Sequence, residues 1–584
     1  MRVRTSKSKN GTRYYIIKTY YDTKGIEHSV TVEKLGLDSE IREKTGRDPA
    51  EWAKERAQYL TQKEKQEQEK ISIELSPTKL ISKNHRYSFN VGYLFLQKIY
   101  NELGLDKICE SISADSDFEY DLNDILQKLC YGRILNPASK SGTYAFSKKL
   151  LEQPSFEQHH VYRALSILSD NFDYIQSELF NNSLRIGKRN TGVIYYDCTN
   201  FFFELEEADA DGLCQYGKSK ENRPLPIVEM GLFIDKDGIP ISLCINPGNT
   251  NEQVTMKPLE KKMLKDFGMS RFVVCTDAGL SSKANKRYNS LNARGFITTQ
   301  SIKKLNGELK ETALNPEQWY LTGARNRYKK YNLNEINEAE HKNSVFYKEI
   351  PVDNDSFYER LIVTYSLKYR DYMRTIRARQ IARAEKALKS GSVKRKKNAN
   401  DFRRFIGAMN CTADGEVAEK SKYYIDTDVI EKEAKYDGFY AISTNLHDDD
   451  PSGIVAVNHE RWQIEQCFRI LKSEFKTKPV YVSTDEHIRA HFLTCFIALI
   501  LYKYLEKRMH KEYSCEELIG TLREMYVREV VGEGYIPNYT RNDLTDKLHE
   551  TFGFRTDYNI VTKGQMKKII AESKKRKSDA KKAK

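Results

Sequence analysis

Two apolar runs, each carrying an aspartate, constrain this chain more than any other feature. They are "GVIYYDCTNFFFE" (192–204), with Asp197 at its centre, and "RFVVCTDAG" (271–279), which runs into Asp277. Near-continuous runs of β-branched and aromatic residues read as strands buried on both faces of a sheet. Carboxylates at or near the ends of neighbouring inner strands converge on one rim of that sheet, where a crevice opens. Taken singly, each aspartate has a plainer reading as a strand-end turn former or a helix N-cap. Held together, two anions repel, and a cation resolves the conflict. Clustered oxygen ligands suit Mg²⁺ or Mn²⁺ rather than zinc.

The stretches around these runs predict the rest of the layer. "LPIVEMGLFIDKDGIPISLCIN" (225–246) reads as two strands around the turn Asp237-Gly238. A helix is expected near Lys257 to Lys265, a second over "SSKANKRYNSLNARG" closed by Gly295, and a strand over "FITTQS". Strand, hairpin, helix, strand, helix, strand is the order of a mixed α/β layer fold around a central sheet. Polar, tyrosine-rich pieces and a basic helix from Lys303 to about Lys435 read as an insertion, after which "YDGFYAISTN" (436–445) resumes as a core strand. A long buried helix follows in "STDEHIRAHFLTCFIALILYKYLEKR", with Ser483-x-x-Glu486 as its capping box. Upstream, two strand-like runs flank Asp22 to Gly25 as a basic hairpin, Asp48 to Lys70 reads as a charged helical linker, and Asn90 to Leu184 has helical periodicity broken at Asn136-Pro137.

At 584 residues, three or four domains are expected. The formal net charge of +14 becomes informative where it concentrates. Lys368 to Arg404 holds fourteen Lys and Arg against three Asp and Glu, and the tail from Lys574 is a second basic cluster. A polyanion partner follows, with nucleic acid ahead of a membrane surface. Ten cysteines without a C-x-x-C pair read as reduced thiols, not as a disulfide frame or zinc site. The N-terminus lacks an apolar signal segment, and the longest apolar run, Phe492 to Tyr502, is too short to span a bilayer, so a cytoplasmic, nucleoid-associated protein with no membrane partner is expected. His487 and His491 lie four apart on one helical face but lack the Glu of H-E-x-x-H and a third ligand. No Gly-rich phosphate loop or dinucleotide fingerprint is present.

One more stretch bears on the aspartates. In "NHERWQIEQCFRILKSEF" (458–475), read as a single helix turning about 100° per residue, Asn458, Arg461, Glu465 and Lys472 form one line beside an apolar stripe of Ile464, Phe468, Leu471 and Phe475. By itself the line reads as a boundary salt-bridge row. Together, Asp197 in "IYYDCTNFFFE", Asp277 in "VVCTDAGLSS" and the R-W-Q-I-E-x6-K of Arg461 to Lys472 resemble the DDE transposases of the insertion-sequence-four group, marked by Tyr-x2-Arg-x3-Glu-x6-Lys. "YGKSKENRPLPIVEMGLFIDKDGIPI", "PGNTNE", "KYDGFYAISTN" and "IRAHFLTCFIALIL" also match, and "GRILNPASK" extends the resemblance weakly upstream. Where the signature has Tyr, this chain has Asn458, which can hydrogen-bond a phosphate oxygen but cannot stack on a base.

The resemblance implies an RNase H-like catalytic core in which Asp197, Asp277 and Glu465 hold two Mg²⁺ or Mn²⁺ ions, while Arg461, Lys472 and Asn458 face the DNA strand. It implies cleavage at terminal inverted repeats and strand transfer into target DNA, with a homodimer on the DNA. Beside it, the basic helix, with Arg374, Arg377 and Lys396 in or just beyond it, is expected to bind DNA backbone, and Trp319 to stack on an unpaired base, a role competing with simple packing. The expected domains are a basic hairpin and linker (1–75), a helical end-binding domain (76–189), the core in two parts (190–302 and 436–508) around the insertion (303–435), and a C-terminal helical region with a basic tail (509–584). Two alternatives stand beside this reading: a domesticated or decayed relative that binds DNA without transposing, and a structure-specific nuclease.

Overall fold

The computed structural model describes residues 1–576 except 10, 22–26, 69–70, 72, 74–75, 115–116, 205–206, 210, 325–327, 355–356, 392–399 and 412–416. The turn expected at Asp22 to Gly25, Lys396 and the end of the basic tail lie outside these residues. The chain divides into two compact units, one of residues 1–86 with 531–533, the other of 87–530 with 534–584.

In the first unit, β1 (Arg2–Ser8), β2 (Gly11–Tyr21) and β3 (Glu27–Leu37) form an antiparallel meander, followed by α1 (Asp38–Thr45) and α2 (Pro49–Gln68). The β2–β3 pair is the hairpin read from sequence, while β1 is an added strand. Ile16, Ile17, Ile41, Ala53 and Ala57 make its small buried core.

The second unit opens with β4 (Ser88–Asn90) and a helical layer: α3 (Tyr93–Glu102), α4 (Leu105–Ala114), α5 (Leu122–Leu135), α6 (Lys140–Ser147), α7 (Gln158–Asp170) and α8 (Phe172–Ile186). The break at Asn136-Pro137 falls where α5 stops, because proline cannot donate the next helical hydrogen bond. Then come β5 (Val193–Phe202), β6 (Ile227–Asp235), β7 (Pro240–Pro247), α9 (Glu252–Asp266), β8 (Val273–Thr276), α10 (Lys283–Tyr288) and β9 (Gly295–Gln300). Gly295 therefore opens a strand and does not close a helix. A Cβ there would lie 2.6 Å from Leu446 Cδ2, so the glycine is needed for strand packing.

The next segment supplies α11 (Gly307–Leu314), β10 (Tyr320–Leu321), β11 (Phe346–Asn354), β12 (Phe357–Tyr365), α12 (Leu367–Lys389), the separate hairpin β13 (Ile406–Cys411) and β14 (Val417–Ile425), and α13 (Thr427–Ala434). β15 (Phe439–Thr444) and the helices α14 (Pro451–His459), α15 (Trp462–Arg469) and α16 (Asp485–Arg508) follow. The chain continues through α17 (Cys515–Glu524), β16 (Tyr526–Val530), β17 (Gly534–Pro537), α18 (Asp543–Phe552), β18 (Val561–Thr562) and α19 (Lys563–Lys574).

One nine-stranded sheet organises the unit, in the order β10-β11-β12-β15-β9-β8-β5-β6-β7. β5, β8 and β9 are parallel, and the remaining pairings are antiparallel. The run β7-β6-β5-β8-β9, a meander followed by two parallel crossovers, is the RNase H-like arrangement expected from sequence. β10, β11 and β12 extend the same sheet, so part of the segment between the two halves of the core is continuous with it. α16 packs against α3, α5, α7 and β7. It is apolar on all sides and almost wholly buried, as a core helix must be. Its N-cap is Thr484, whose hydroxyl accepts the His487 N–H, one residue beyond the predicted Ser483.

Burial sets one carboxyl apart. Glu260 on α9 is 0% exposed, and the Asn289 amide donates to both of its oxygens at 2.9 and 3.2 Å. Burial pushes its pKa up to about 7. Asn289 Oδ1 finds no donor among the described residues. Because the folded pKa exceeds the unfolded one, this stability is complete below the ordinary carboxylate range and is lost as pH rises through about 7. Glu260→Gln is therefore expected to melt with the wild type near pH 4 and to be more stable by on the order of 2–3 kcal/mol at pH 8. Thermal melts at the two pH values check this; an equal shift at both would refute it.

Candidate active site

The strand register brings the two aspartates together. β5 and β8 pair in parallel from Val193↔Val273 to Tyr195↔Cys275, so two further residues along each chain set Asp197 beside Asp277. β8 stops at Thr276 while β5 continues to Phe202, paired with β6, which opens a crevice at this rim. Asp277 ends β8 by capping a one-turn helix: its Oδ1 accepts the N–H of Gly279 at 2.9 Å and of Leu280 at 3.2 Å. The N-cap reading of Asp277 and its place in the pair thus both hold. Asp197 Oδ1 accepts the Cys198 N–H at 2.8 Å. Burial pushes the Asp197 pKa up to about 6, and the Asp277 charge adds to that rise. Lys220, the Cys198 N–H and Arg461 oppose it. Two hard carboxylates that destabilise one another fit a divalent cation.

The helix expected from Asn458 to Phe475 is broken. α14 ends at His459, α15 begins at Trp462, and Ile470 to Glu474 make a π-helical turn, a departure that frequently marks functional sites. Ile464, Phe468, Leu471 and Phe475 are all buried, so the apolar stripe anchors the segment as its sequence pattern implies. Arg461, at the break, donates from Nη1 to Thr299 Oγ1 at 2.9 Å. Thr299 shares a 2.6 Å hydrogen bond with the Tyr440 hydroxyl, which also accepts the Asn458 amide at 3.0 Å. Arg461 is thereby oriented by β9 and β15 while it acts on Asp197. Asn458 is 6% exposed and its amide is committed to Tyr440, so the position expected to reach a DNA phosphate instead braces the site from within.

Glu465 is the member that the structure leaves apart. Its side chain is 65% exposed and lies 3.9 Å from Arg461. Among the described residues no three His, Cys, Asp or Glu side chains converge closely enough to hold a metal ion. Glu465 faces a cleft of about 280 Å³ shared with Tyr369, Tyr440, Arg461 and Trp462. A larger cleft of about 740 Å³, beside Glu311, Tyr320 and Tyr347, contains none of the candidate residues.

Lys472, in the π turn, lies over the Phe201 ring at 5.4 Å and 3.8 Å from Glu221. Burial lowers its pKa, with Glu221 and Asp197 opposing that shift. Sequence reasoning passed over its neighbours Lys220, Glu221, Arg223 and Lys478. Their signal was the charge density of "YGKSKENRPLP" and "KTKP".

The outlying candidates fare differently. Arg377 makes a two-pronged pair with Asp437, which is 5% exposed, its Nη1 donating to Oδ1 at 2.6 Å, so its fork has an internal partner. Arg374 lies 3.8 Å from the same carboxylate and is largely exposed. Trp319 is 0% exposed, its Nε1 donates to Asn315 O at 2.8 Å, and its ring packs on Tyr365 and Phe439. It is a packing residue with no face open to a base. His491 is buried against Thr477 O and is not paired with His487 as a metal site.

The hydroxyl bridge supports a direct test. Tyr440→Phe leaves the buried Asn458 amide without its partner, and a loss of about 1–3 kcal/mol in folding stability is expected, measured as a shift in denaturation midpoint. A loss under about 0.5 kcal/mol would show that Asn458 does not depend on Tyr440.

Residues 212–501 match the family model described as the transposase DDE domain, a span that includes Asp277, Arg461, Glu465 and Lys472 and begins just after Asp197. No curated protein matches the chain significantly. Among solved structures, one described as the piggyBac transposase synaptic complex with hairpin DNA aligns at a TM-score of 0.35 and 8% identity, covering 83% of this chain and 86% of that one. The match is thus to a transposase DDE domain over just under half of the chain, and it takes in most of the strands of the nine-stranded sheet that carries the carboxylate crevice, with Asp197 and β5 lying before it.

Proposed function

We propose that the protein is an insertion-sequence transposase that binds terminal inverted repeats, cuts the DNA strand there and joins the cut end to a target. The observation that carries this reading is the register-matched pair Asp197 and Asp277, flanked by Arg461, Lys220 and Lys472 in one crevice.

The residues divide the work by chemistry. Asp197 and Asp277 would hold the divalent cation, and Glu465 would complete the ligand set once DNA occupies the crevice. Divalent ions held there would supply charge stabilisation for an in-line displacement at phosphorus. Arg461, held by Thr299, presents its remaining N–H groups to a backbone phosphate, and Lys472 supplies a point charge to a neighbouring phosphate. Tyr440 and Asn458 position Arg461 through the hydroxyl bridge. These contacts carry no base information, so recognition of the terminal repeats belongs to the helical layer and the N-terminal basic meander. Pairing of two ends calls for a homodimer on DNA, working at the nucleoid in the cytoplasm. The exposure of Glu465, whose carboxylate faces Arg461, favours, as a second reading, a relative that binds DNA without cutting it.

The test is Mg²⁺-dependent cleavage of a duplex carrying the flanking inverted repeat. Wild type is expected to cut, whereas Asp197→Ala and Glu465→Gln retain binding and lose cleavage by a hundredfold or more, about 3 kcal/mol in transition-state stabilisation. Binding without cutting by wild type would support the second reading, and cutting that survives both substitutions would refute the site.

A further inference from the structure

The loop "YGKSKENRP" (216–224) is built with unusual tightness for a surface segment. Gly217 lies against Gly248 so closely that an added Cβ would sit 1.8 Å from the Gly248 carbonyl oxygen, and a Cβ on Gly248 would meet Ile227 O at 2.1 Å. Only glycine permits backbones to approach this way. Asn200, three residues beyond Asp197 on β5, clamps the loop from both sides: its amide donates to Lys218 O, and its Oδ1 accepts the Lys220 N–H, each at 3.1 Å. A turn closes with Asn222 N–H donating to Ser219 O at 3.2 Å and Asn222 at φ +56°. Loop and catalytic strand are thus fixed to one another.

The turn sends consecutive charges in two directions. Lys220 reaches Cys198 O at 2.5 Å and Glu252 at 2.8 Å, next to Asp197. Glu221 points the other way, into a group of cations. Lys478 forms a close ion pair with it, Lys472 lies 3.8 Å away and Arg223 3.9 Å away. Lys478 and Arg223 also stand over the Phe202 ring. Three cations on one carboxylate leave the group two charges short of balance, and Lys472 is held there at a desolvation cost. A backbone phosphodiester carries one negative charge, as a carboxylate does, so a strand that lays successive phosphates along these cations supplies the balance that one carboxylate leaves short.

We infer that Glu221 is an internal stand-in for a DNA phosphate: in the DNA-free protein it pairs with Lys472, Lys478 and Arg223, and a backbone phosphate beside the scissile bond displaces it. This deepens the transposase reading and rests on it. It assigns a second phosphate site, beyond the one at Arg461, to Lys472, Lys478 and Arg223. The glycine contact and the Asn200 clamp hold that site in register with the carboxylates. The displaced Glu221 side chain rotates outward while the clamped loop stays in place, so the exchange needs no movement of the sheet.

The experiment is binding of an arbitrary-sequence 30-base-pair duplex over a KCl series by wild type, Glu221→Gln, the double variant Lys472→Ala/Lys478→Ala, and the triple variant. Glu221→Gln is expected to bind about five- to tenfold more tightly and to steepen the log–log salt dependence by about one unit, because counterions now occupy the freed cations and are released by DNA. The double variant is expected to bind more weakly with a shallower slope, and the gain from Glu221→Gln must disappear in its background. Melting curves verify that all four are folded, and Glu221→Ala serves if the glutamine variant is not. Unchanged or weaker binding by Glu221→Gln would overturn the assignment, as would a gain that persists without Lys472 and Lys478, which marks a general charge effect. If wild type binds no duplex at all, the transposase reading itself fails.

Discussion

Three parallel residue pairs, Val193 to Tyr195 against Val273 to Cys275, decide the geometry of the site. Their register places one carboxylate beside another at a rim where β8 has ended and β5 continues. Everything around the crevice answers the resulting electrostatic conflict. Arg461 acts on Asp197 from the break between α14 and α15, Lys220 from the clamped loop, and Lys472 from the π turn. Burying two carboxylates side by side is costly to stability, the cations offset part of that cost, and such a cost is retained where function needs it.

The segment between the two halves of the core shapes the site as well as enlarging the protein. β11 and β12 join the main sheet, so β15 is held between β12 and β9. That position carries Tyr440 to Thr299 and Asn458 and fixes the base of Arg461. α12 starts directly after β12, which puts Tyr369 in the cleft with Glu465 and lets the basic helix lead away from it. The close linkage through the sheet makes this segment part of the wall of the candidate site.

Charge density along the chain proved an uneven guide to free cationic surface. Arg377 belongs to the most basic stretch, yet its guanidinium is matched to a buried carboxylate. In a folded protein a side chain is available to DNA only if its own fold has not already supplied an oxyanion, and that depends on residues far away in sequence such as Asp437. The loop at Lys220 carries fewer charges but gathers cations from β5's neighbourhood and from the chain after the π turn.

Local physical chemistry made much of the architecture legible. Apolar runs specified β5, β6, β7, β8 and β15, Asp237-Gly238 specified a hairpin, Asn136-Pro137 ended a helix, and the stripe of Ile464, Phe468, Leu471 and Phe475 specified a buried face. Period and turn chemistry are properties of a few neighbouring residues, so they survive without knowledge of the fold. β1, the break at Glu460 and Arg461, and the π turn did not follow, because each is stabilised by contacts that override local preference. The same holds for the interior position of Asn458, whereas packing is already the plainer reading of Trp319 from its sequence. The sequence by itself determined which residues carry charge on strands and helices and hence which chemistry is available. Only the tertiary structure decided which charges meet, since strand register and glycine-mediated backbone contact bring together groups that chain order keeps far apart.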